Sequence, residues 1–393
     1  MKGSGLLEGV DFALDEMPGD QLHRILHAYR ERGPIQSTRF LGLPALIITS
    51  HQALSRAFMD TESFPPHAMY QASFEGAIGK SFISMEDPKE HLLYRKRVTP
   101  AFRSRAVARY ERDDLAEIAH ELIDRIESRT SFDLVESFTT QFPYLVISRL
   151  LGLPRDREDE FQNWAFALLR FRDDPAAAKN AREKLTEFIS PVVEDRKKQP
   201  RNDVISELLQ VRIDDMSLTD EEIHSHIRLL FPTGGETTHG SLGNLLFAAL
   251  SNQSLWERLC RDPSLIPAAC EESLRWETPI AVLPRLSCSD ETEFLGITIP
   301  GNSWILFAMA AANRDPLVFS EPDRFDLDRE KDESLTFGRG VKACPGMHLA
   351  RKNMTVALQV LTERMPSLQL TDLDSAQPRR TVLRSPAALH VRK

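Results

Sequence analysis

The sequence holds only four cysteines in 393 residues, Cys260, Cys270, Cys288 and Cys344, with no CxxC pair among them. That excludes a disulfide framework and, in a chain this long, predicts free thiols in a reducing compartment. A basic tail is also missing. Lys and Arg number 49 against 58 Asp and Glu, a formal charge of −9, which argues against nucleic acid as a partner. The first twenty residues, MKGSGLLEGVDFALDEMPGD, lack the apolar core of a signal peptide, so a cytoplasmic location is expected. No Gly/Ser linker, internal repeat or low-complexity tract divides the chain, so a single domain over 1–393 is expected. With 41% hydrophobic and 27% charged residues, disorder, collagen and coiled coil are excluded.

One stretch could pass for a membrane span. Residues 229–256 carry a single formal charge, Glu236, but also Pro232, Gly234, Gly235, Thr237, Thr238, Gly240, Ser241, Gly243 and Asn244. That is too polar for ~20 lipid-facing residues, and no membrane anchor is expected. Thr219 and Glu222 fit a capping box, which starts a helix reaching about Ser251, ~50 Å long at ~1.5 Å per residue. A helix apolar on nearly every side belongs at the centre of a large protein. Helical periodicity also covers 20–32, 88–102, 105–128, 157–172, 177–198, 262–276 and 345–364. Strand-like runs are few: 46–49, 284–288, 292–299 with a turn at Pro300-Gly301, and 303–307. The fold class is mainly α with small β-sheets.

The densest punctuation is Phe337-Gly338-Arg339-Gly340-Val341-Lys342-Ala343-Cys344-Pro345-Gly346. Two glycines permit a tight turn against a flat or bulky group, and Pro345 suits the start of a helix. Cys344 is thus expected at a helix N-terminus, where amides and the dipole favour thiolate. From spacing alone it remains open whether this is a nucleophile, a redox thiol, a metal ligand or an inert core cysteine. The segment 338–343 also satisfies GxGxxG/A, with Glu363 twenty residues on. A dinucleotide site needs a strand before the loop, and 332–336 do not read as one.

This loop resembles the FGxGx(H/R)xCxG signature of the cytochrome P450 family, matching at Phe337, Gly338, Gly340, Cys344 and Gly346. Other family motifs follow the same order. Glu272-Ser273-Leu274-Arg275 resembles the ExxR helix, Pro322-Asp323-Arg324-Phe325 the PERF meander, Thr233-Gly234-Gly235-Glu236-Thr237-Thr238 the oxygen-activating AGx(D/E)TT, and His91-Leu92-Leu93-Tyr94-Arg95 the HxxxR clamp. The resemblance implies the P450 fold and haem b, with Cys344 as the axial thiolate that pushes electron density to iron. It implies a buried charge network of Glu272, Arg275 and Arg324 bracing the loop. His91, Arg95, Arg285 and Lys342 are expected at the two haem carboxylates, although Lys342 stands where the family has His or Arg and loses the planar donor geometry. Glu236, an acid buried in an apolar helix, is expected to have a raised pKa and relay protons. Thr237 is expected both to steer that proton and to bond back to a carbonyl one turn earlier. Pro232, Gly234 and Gly235 should weaken the helix there.

The implied activity is insertion of one oxygen atom from O₂ into a lipophilic substrate. Its pocket is expected from 64–82, 164–172, 229–233, 280–283 and 386–389, including Phe74, Phe82, Phe166, Thr233, Ile280, Val282, Leu283 and Ala387, with Arg170 and Arg172 exposed. Without a flavin or iron–sulfur module, electrons come from a separate ferredoxin or flavodoxin and its reductase. Arg97, Arg103, Arg105, Arg109, Arg112, Arg351 and Lys352 are candidates for its basic docking patch. Two rivals keep the haem: a sensor without turnover, which needs no proton relay, and a peroxygenase or isomerase, which tolerates losing the Glu236–Thr237 pair.

Overall fold

The computed structural model describes residues 7, 9–103, 106–107, 115–171, 174–213, 216–330 and 333–393. The central helix runs Asp220–Leu250, about 46 Å. Its predicted capping box closes, with Glu222 N donating to Thr219 Oγ1 at 3.3 Å and Thr219 N donating to Glu222 Oε2 at 2.8 Å. Pro232, Gly234 and Gly235 do not interrupt it. Around it pack Gln141–Leu151, Glu158–Leu169, Ile266–Trp276 and Met347–Arg364. No helix among the described residues is long and apolar enough to cross a membrane.

Periodicity located helices such as Asp20–Arg32, Glu158–Leu169 and Pro175–Lys198 within a few residues, but not the shorter His51–Met59, Val204–Gln210 and Gln253–Arg261. The 105–128 run is seen only in part, as Leu115–Asp124; residues 105 and 108–114 lie outside the described residues. The reading missed Gln141–Leu151 because QFPYLVISRLL is buried on almost every side and shows no period. The last helix begins at Met347, not Pro345, since Gly346 takes the N-cap position.

A four-stranded sheet orders Ile35–Phe40, Leu43–Ile48, Trp304–Phe307 and Leu283–Leu286, with its central pair parallel. This pairing sets Arg285 opposite Ile305. The 292–299 run is a hairpin, not one strand. It folds at Leu295-Gly296, whose φ values of 54° and 75° suit a two-residue turn that a leucine disguises in sequence. No parallel βαβ unit surrounds the glycine loop: the described residues before it form no strand, and Gln369–Leu370 beyond the helix pairs antiparallel.

A buried charge network braces that loop, with one correction to its membership. Arg275 grips Glu272 through two bonds, of 2.8 and 2.6 Å. The second arginine on Glu272 is Arg329, at 3.1 and 3.2 Å. Arg324 offers only its carbonyl to Arg275, while its exposed guanidinium pairs with Glu321 at 3.2 Å. Exposure on the meander turns that side chain outward, and five residues further on the chain returns to Glu272. The brace reaches the loop through Asn313, whose carbonyl accepts from Arg275 at 2.9 Å and whose side chain holds Leu335 N at 2.7 Å and Thr336 Oγ1 at 2.9 Å. Glu272→Ala strands Arg275 without its carboxylate and should cost about 3–5 kcal/mol. Arg324→Ala should stay within about 0.5 kcal/mol, with Arg329→Ala between them; urea unfolding of the three variants checks the order.

Candidate active site

The cysteine loop is shaped by Gly338 and Gly340, at φ 66° and 71°, conformations that exclude most side chains. A Cβ at Gly340 would lie 3.1 Å from the Met59 sulfur. Cys344 N donates to Phe337 O at 2.8 Å, closing the turn. Arg351 lies 4.7 Å from the centre of the Phe337 ring and is itself held by Glu271 at 2.6 and 3.0 Å. Burial pushes the Cys344 thiol up, while the Gly346 amide pulls it down as expected of this position, joined by Arg95 and Arg351.

Beside this loop four basic groups converge. The clamp helix Pro88–Val98, capped by Asp87, carries His91 and Arg95 on one face. His91 is 3% exposed and its Nε2 has no partner; burial, then Lys342 and Arg95, lower its pKa to about 4. Arg95 reaches the Ala343 carbonyl. Lys342 donates to the carbonyls of Ile83 at 2.7 Å and Phe82 at 3.2 Å. Its pKa falls to about 7 through burial, then Arg285 and Arg95. Arg285 is buried between the rings of Tyr70 and Phe307, 5.3 and 5.9 Å away. Among the described residues none of the four meets a carboxylate. Buried cations that repel one another without a counter-charge are costly, so this space suits a ligand carrying carboxylates.

On the central helix, Glu236 is buried and Thr237 half-buried. Thr237 Oγ1 donates to Thr233 O at 2.8 Å, the back-bond expected of it. Glu236 accepts from Tyr144, whose hydroxyl lies 2.8 Å from Oε2. Sequence reading missed Tyr144 because its helix carried no period. Gly235 holds the signal in retrospect: a Cβ there would sit 2.2 Å from Tyr144 Cε1.

Among the described residues, the eight expected pocket residues are found in different surroundings. Phe74 and Phe166 share a cleft of about 430 Å³ with Phe12, Phe40, Met69, Trp304 and Arg170. Phe82 is buried, its ring stacked on His226 at 6.0 Å and facing His91 at 6.2 Å. Val282 is fully buried in the sheet's core, and Ile280 packs beside Phe64 and Phe307. Leu283 is half-buried at a strand start, and Thr233 back-bonds to Leu229 O at 2.6 Å. Ala387 is exposed and lines a different depression, with Tyr144 and Thr140. Apolar character identified these segments, and apolar residues serve cores as readily as pockets. Arg170 is exposed over the Phe166 ring; Arg172 lies outside the described residues.

A model of the family described as Cytochrome P450 matches residues 10–163 and 158–365. The chain belongs to the cytochrome P450 family. It is 31% identical to Cytochrome P450 107B1 of Saccharopolyspora erythraea, over 91% of both chains. It is also 31% identical to the 6-deoxyerythronolide B hydroxylase of that organism, over 94% of this chain and 96% of the other. The structure of Cytochrome P450 CYP109Q5 from Chondromyces apiculatus superposes with a TM-score of 0.85 at 29% identity, covering 94% of this chain and 95% of that one. This P450 is therefore a haem-thiolate monooxygenase, and the uncompensated cations and orphaned His91 nitrogen fit the carboxylates of its haem.

Stripping the haem should expose the cost of His91. Its folded pKa of about 4 lies below the ordinary value near 6.5, so between those limits the unfolded chain binds the extra proton. Stability of the haem-free protein is then present above pH 6.5 and lost as pH falls towards 4, by up to about 1.4 kcal/mol per unit from this group. Urea unfolding at pH 6.5 and 4.5 should show a shallower slope for His91→Phe.

Proposed function

We propose that Cys344 is the axial ligand and that this P450 hydroxylates a lipophilic substrate with electrons from a separate ferredoxin or flavodoxin. The observation that carries the site assignment is the convergence of His91, Arg95, Arg285 and Lys342 on the Cys344 loop with no carboxylate of the described residues paired to them. When bound, the haem supplies the iron at which O₂ is reduced and one of its atoms inserted. Phe337, Gly338 and Gly346 shape the loop that would present Cys344 Sγ, while Arg95, Arg285 and Lys342 would offset the charge of the two carboxylates and His91 would offer them a hydrogen bond.

The remaining work falls to the central helix. Reduction of O₂ to one inserted atom and one water consumes two protons, and Glu236 is the buried acid that can pass them on. Thr237 directs them. With its hydrogen committed to Thr233 O, its oxygen offers lone pairs and accepts a hydrogen bond instead of donating one. Such an acceptor would hold a water or hydroxyl in place and so set where the proton passed on by Glu236 is delivered.

A lipophilic substrate is supported by the aromatic lining of the Phe74–Phe166 cleft. Similarity to a 6-deoxyerythronolide B hydroxylase supports the hydroxylating outcome. Docking of an acidic electron donor is supported by exposed Lys96, Arg97 and Arg103. Arg351 is committed to Glu271, while Arg105, Arg109 and Arg112 lie outside the described residues.

Thr237→Ala should leave haem content and substrate binding unchanged but divert electrons to hydrogen peroxide. The product-to-peroxide ratio should fall by about tenfold or more, ~1.4 kcal/mol in competing barriers. Glu236→Gln should slow oxygen consumption itself. Product and peroxide per electron consumed check both; a Thr237→Ala enzyme as tightly coupled as the parent would reduce Thr237 to a back-bonded helix residue.

A further inference from the structure

Tyr144 lies on a helix outside every motif that defines the site, yet it makes the hydrogen bond to the acid. Its hydroxyl is 2.8 Å from Glu236 Oε2, and the residue is 3% exposed. The fit is specific. The ring lies where a side chain on residue 235 would be, since a Cβ there would come 2.2 Å from Cε1 and 2.7 Å from Cζ. One turn along the same face of the central helix, His239 Nδ1 meets Thr139 Oγ1 at 3.1 Å, so a polar strip runs between the central helix and residues 139–144. Tyr144 also lines a depression of about 400 Å³ with Glu136, Thr140, Glu158, Asp159 and Ala387. Glu136, Asp159 and Ala387 are exposed.

We propose that Tyr144 is the positioning and relay residue through which Glu236 is reprotonated from solvent at this depression, by a path separate from the Phe74–Phe166 cleft. The proposal rests on the reading of Glu236 as the proton donor. After Glu236 has given up its proton, its carboxylate accepts the Tyr144 phenolic proton. The Tyr144 O–H bond breaks as a new O–H forms on Glu236 Oε2, while the phenol oxygen takes a proton from hydronium in the depression, leaving water. Charge on the phenol does not change. A stepwise route through phenolate is disfavoured, because burial and the neighbouring Glu236 carboxylate hold the Tyr144 hydroxyl well above its ordinary range. Both proton movements are therefore concerted, and both need the hydroxyl. Phenylalanine fills the same space without it.

The experiment uses the holoenzyme with saturating substrate and redox partner, comparing the parent with Tyr144→Phe, Ala387→Trp and Glu236→Gln. Tyr144→Phe should slow oxygen consumption about tenfold, a modest share of what general acid–base groups contribute, and enlarge the solvent deuterium isotope effect. Soret position and substrate affinity should not move. Ala387→Trp narrows the depression from the surface, where no core contact is at stake, and should slow consumption severalfold with the same isotope signature. A second readout needs no turnover. The infrared difference between resting parent and Glu236→Gln isolates the Glu236 carboxyl band, and Tyr144→Phe should shift that band. Rates for Tyr144→Phe and Ala387→Trp within twofold of the parent, while Glu236→Gln is slow, would overturn the Tyr144 path and leave Glu236 its role. An unmoved carboxyl band would do the same. An unimpaired Glu236→Gln enzyme would instead remove the reading of Glu236, and this inference with it.

Discussion

Mutual repulsion among four basic groups, two buried (His91 and Arg285) and two half-buried (Arg95 and Lys342), is the constraint around which this protein is arranged. His91 and Arg95 come from one helix, Arg285 from the sheet and Lys342 from the cysteine loop. Lys342 and Arg95 lower the proton affinity of His91, and Arg285 and Arg95 lower that of Lys342. Nothing in their own chemistry would hold them together, so rigid elements must. The sheet fixes Arg285 between two aromatic rings, and the carbonyls of Phe82 and Ile83 hold Lys342. Glu272, Arg275 and Asn313 tie the segment leading into the loop to the helix Ile266–Trp276. A ligand with two carboxylates turns this cost into attraction, which makes the fold and its haem interdependent.

Two further arrangements depend on the central helix. It carries the half-buried Thr237, and its contact with Gln141–Leu151 carries Gly235 and Glu236. Thr233, Thr237, Thr238 and Ser241 each back-bond to a carbonyl four residues earlier. Hydroxyls in an otherwise apolar helix are thereby satisfied, and their oxygens keep lone pairs for partners. A second buried centre, Glu277 with His23 at 2.9 Å and Arg384, joins the first helix and the C-terminal segment to the end of the Ile266–Trp276 helix.

Much of this was legible in sequence, for reasons that differ by residue. Caps and turns are local, so the Thr219–Glu222 capping box and the glycine loop could be read from a few neighbours. Cys344, Glu272 and Arg275 stand in motifs whose order along the chain is itself a signal. Contacts between distant segments leave no such mark. Tyr144 meets Glu236 across 92 positions, and Arg329 replaces Arg324 because of how the meander turns back. The pocket was the least legible part, since Val282 and Phe74 look equally apolar while one is core and the other lines a cleft.

The central claim is that Cys344 ligates the haem iron, and the spectrum of the reduced protein under carbon monoxide tests it most directly. Thiolate ligation shifts the Soret band far to the red. The parent and the Cys260→Ser, Cys270→Ser and Cys288→Ser variants should all show that band, and Cys344→Ser should lose it. A red-shifted band persisting in Cys344→Ser would contradict the account.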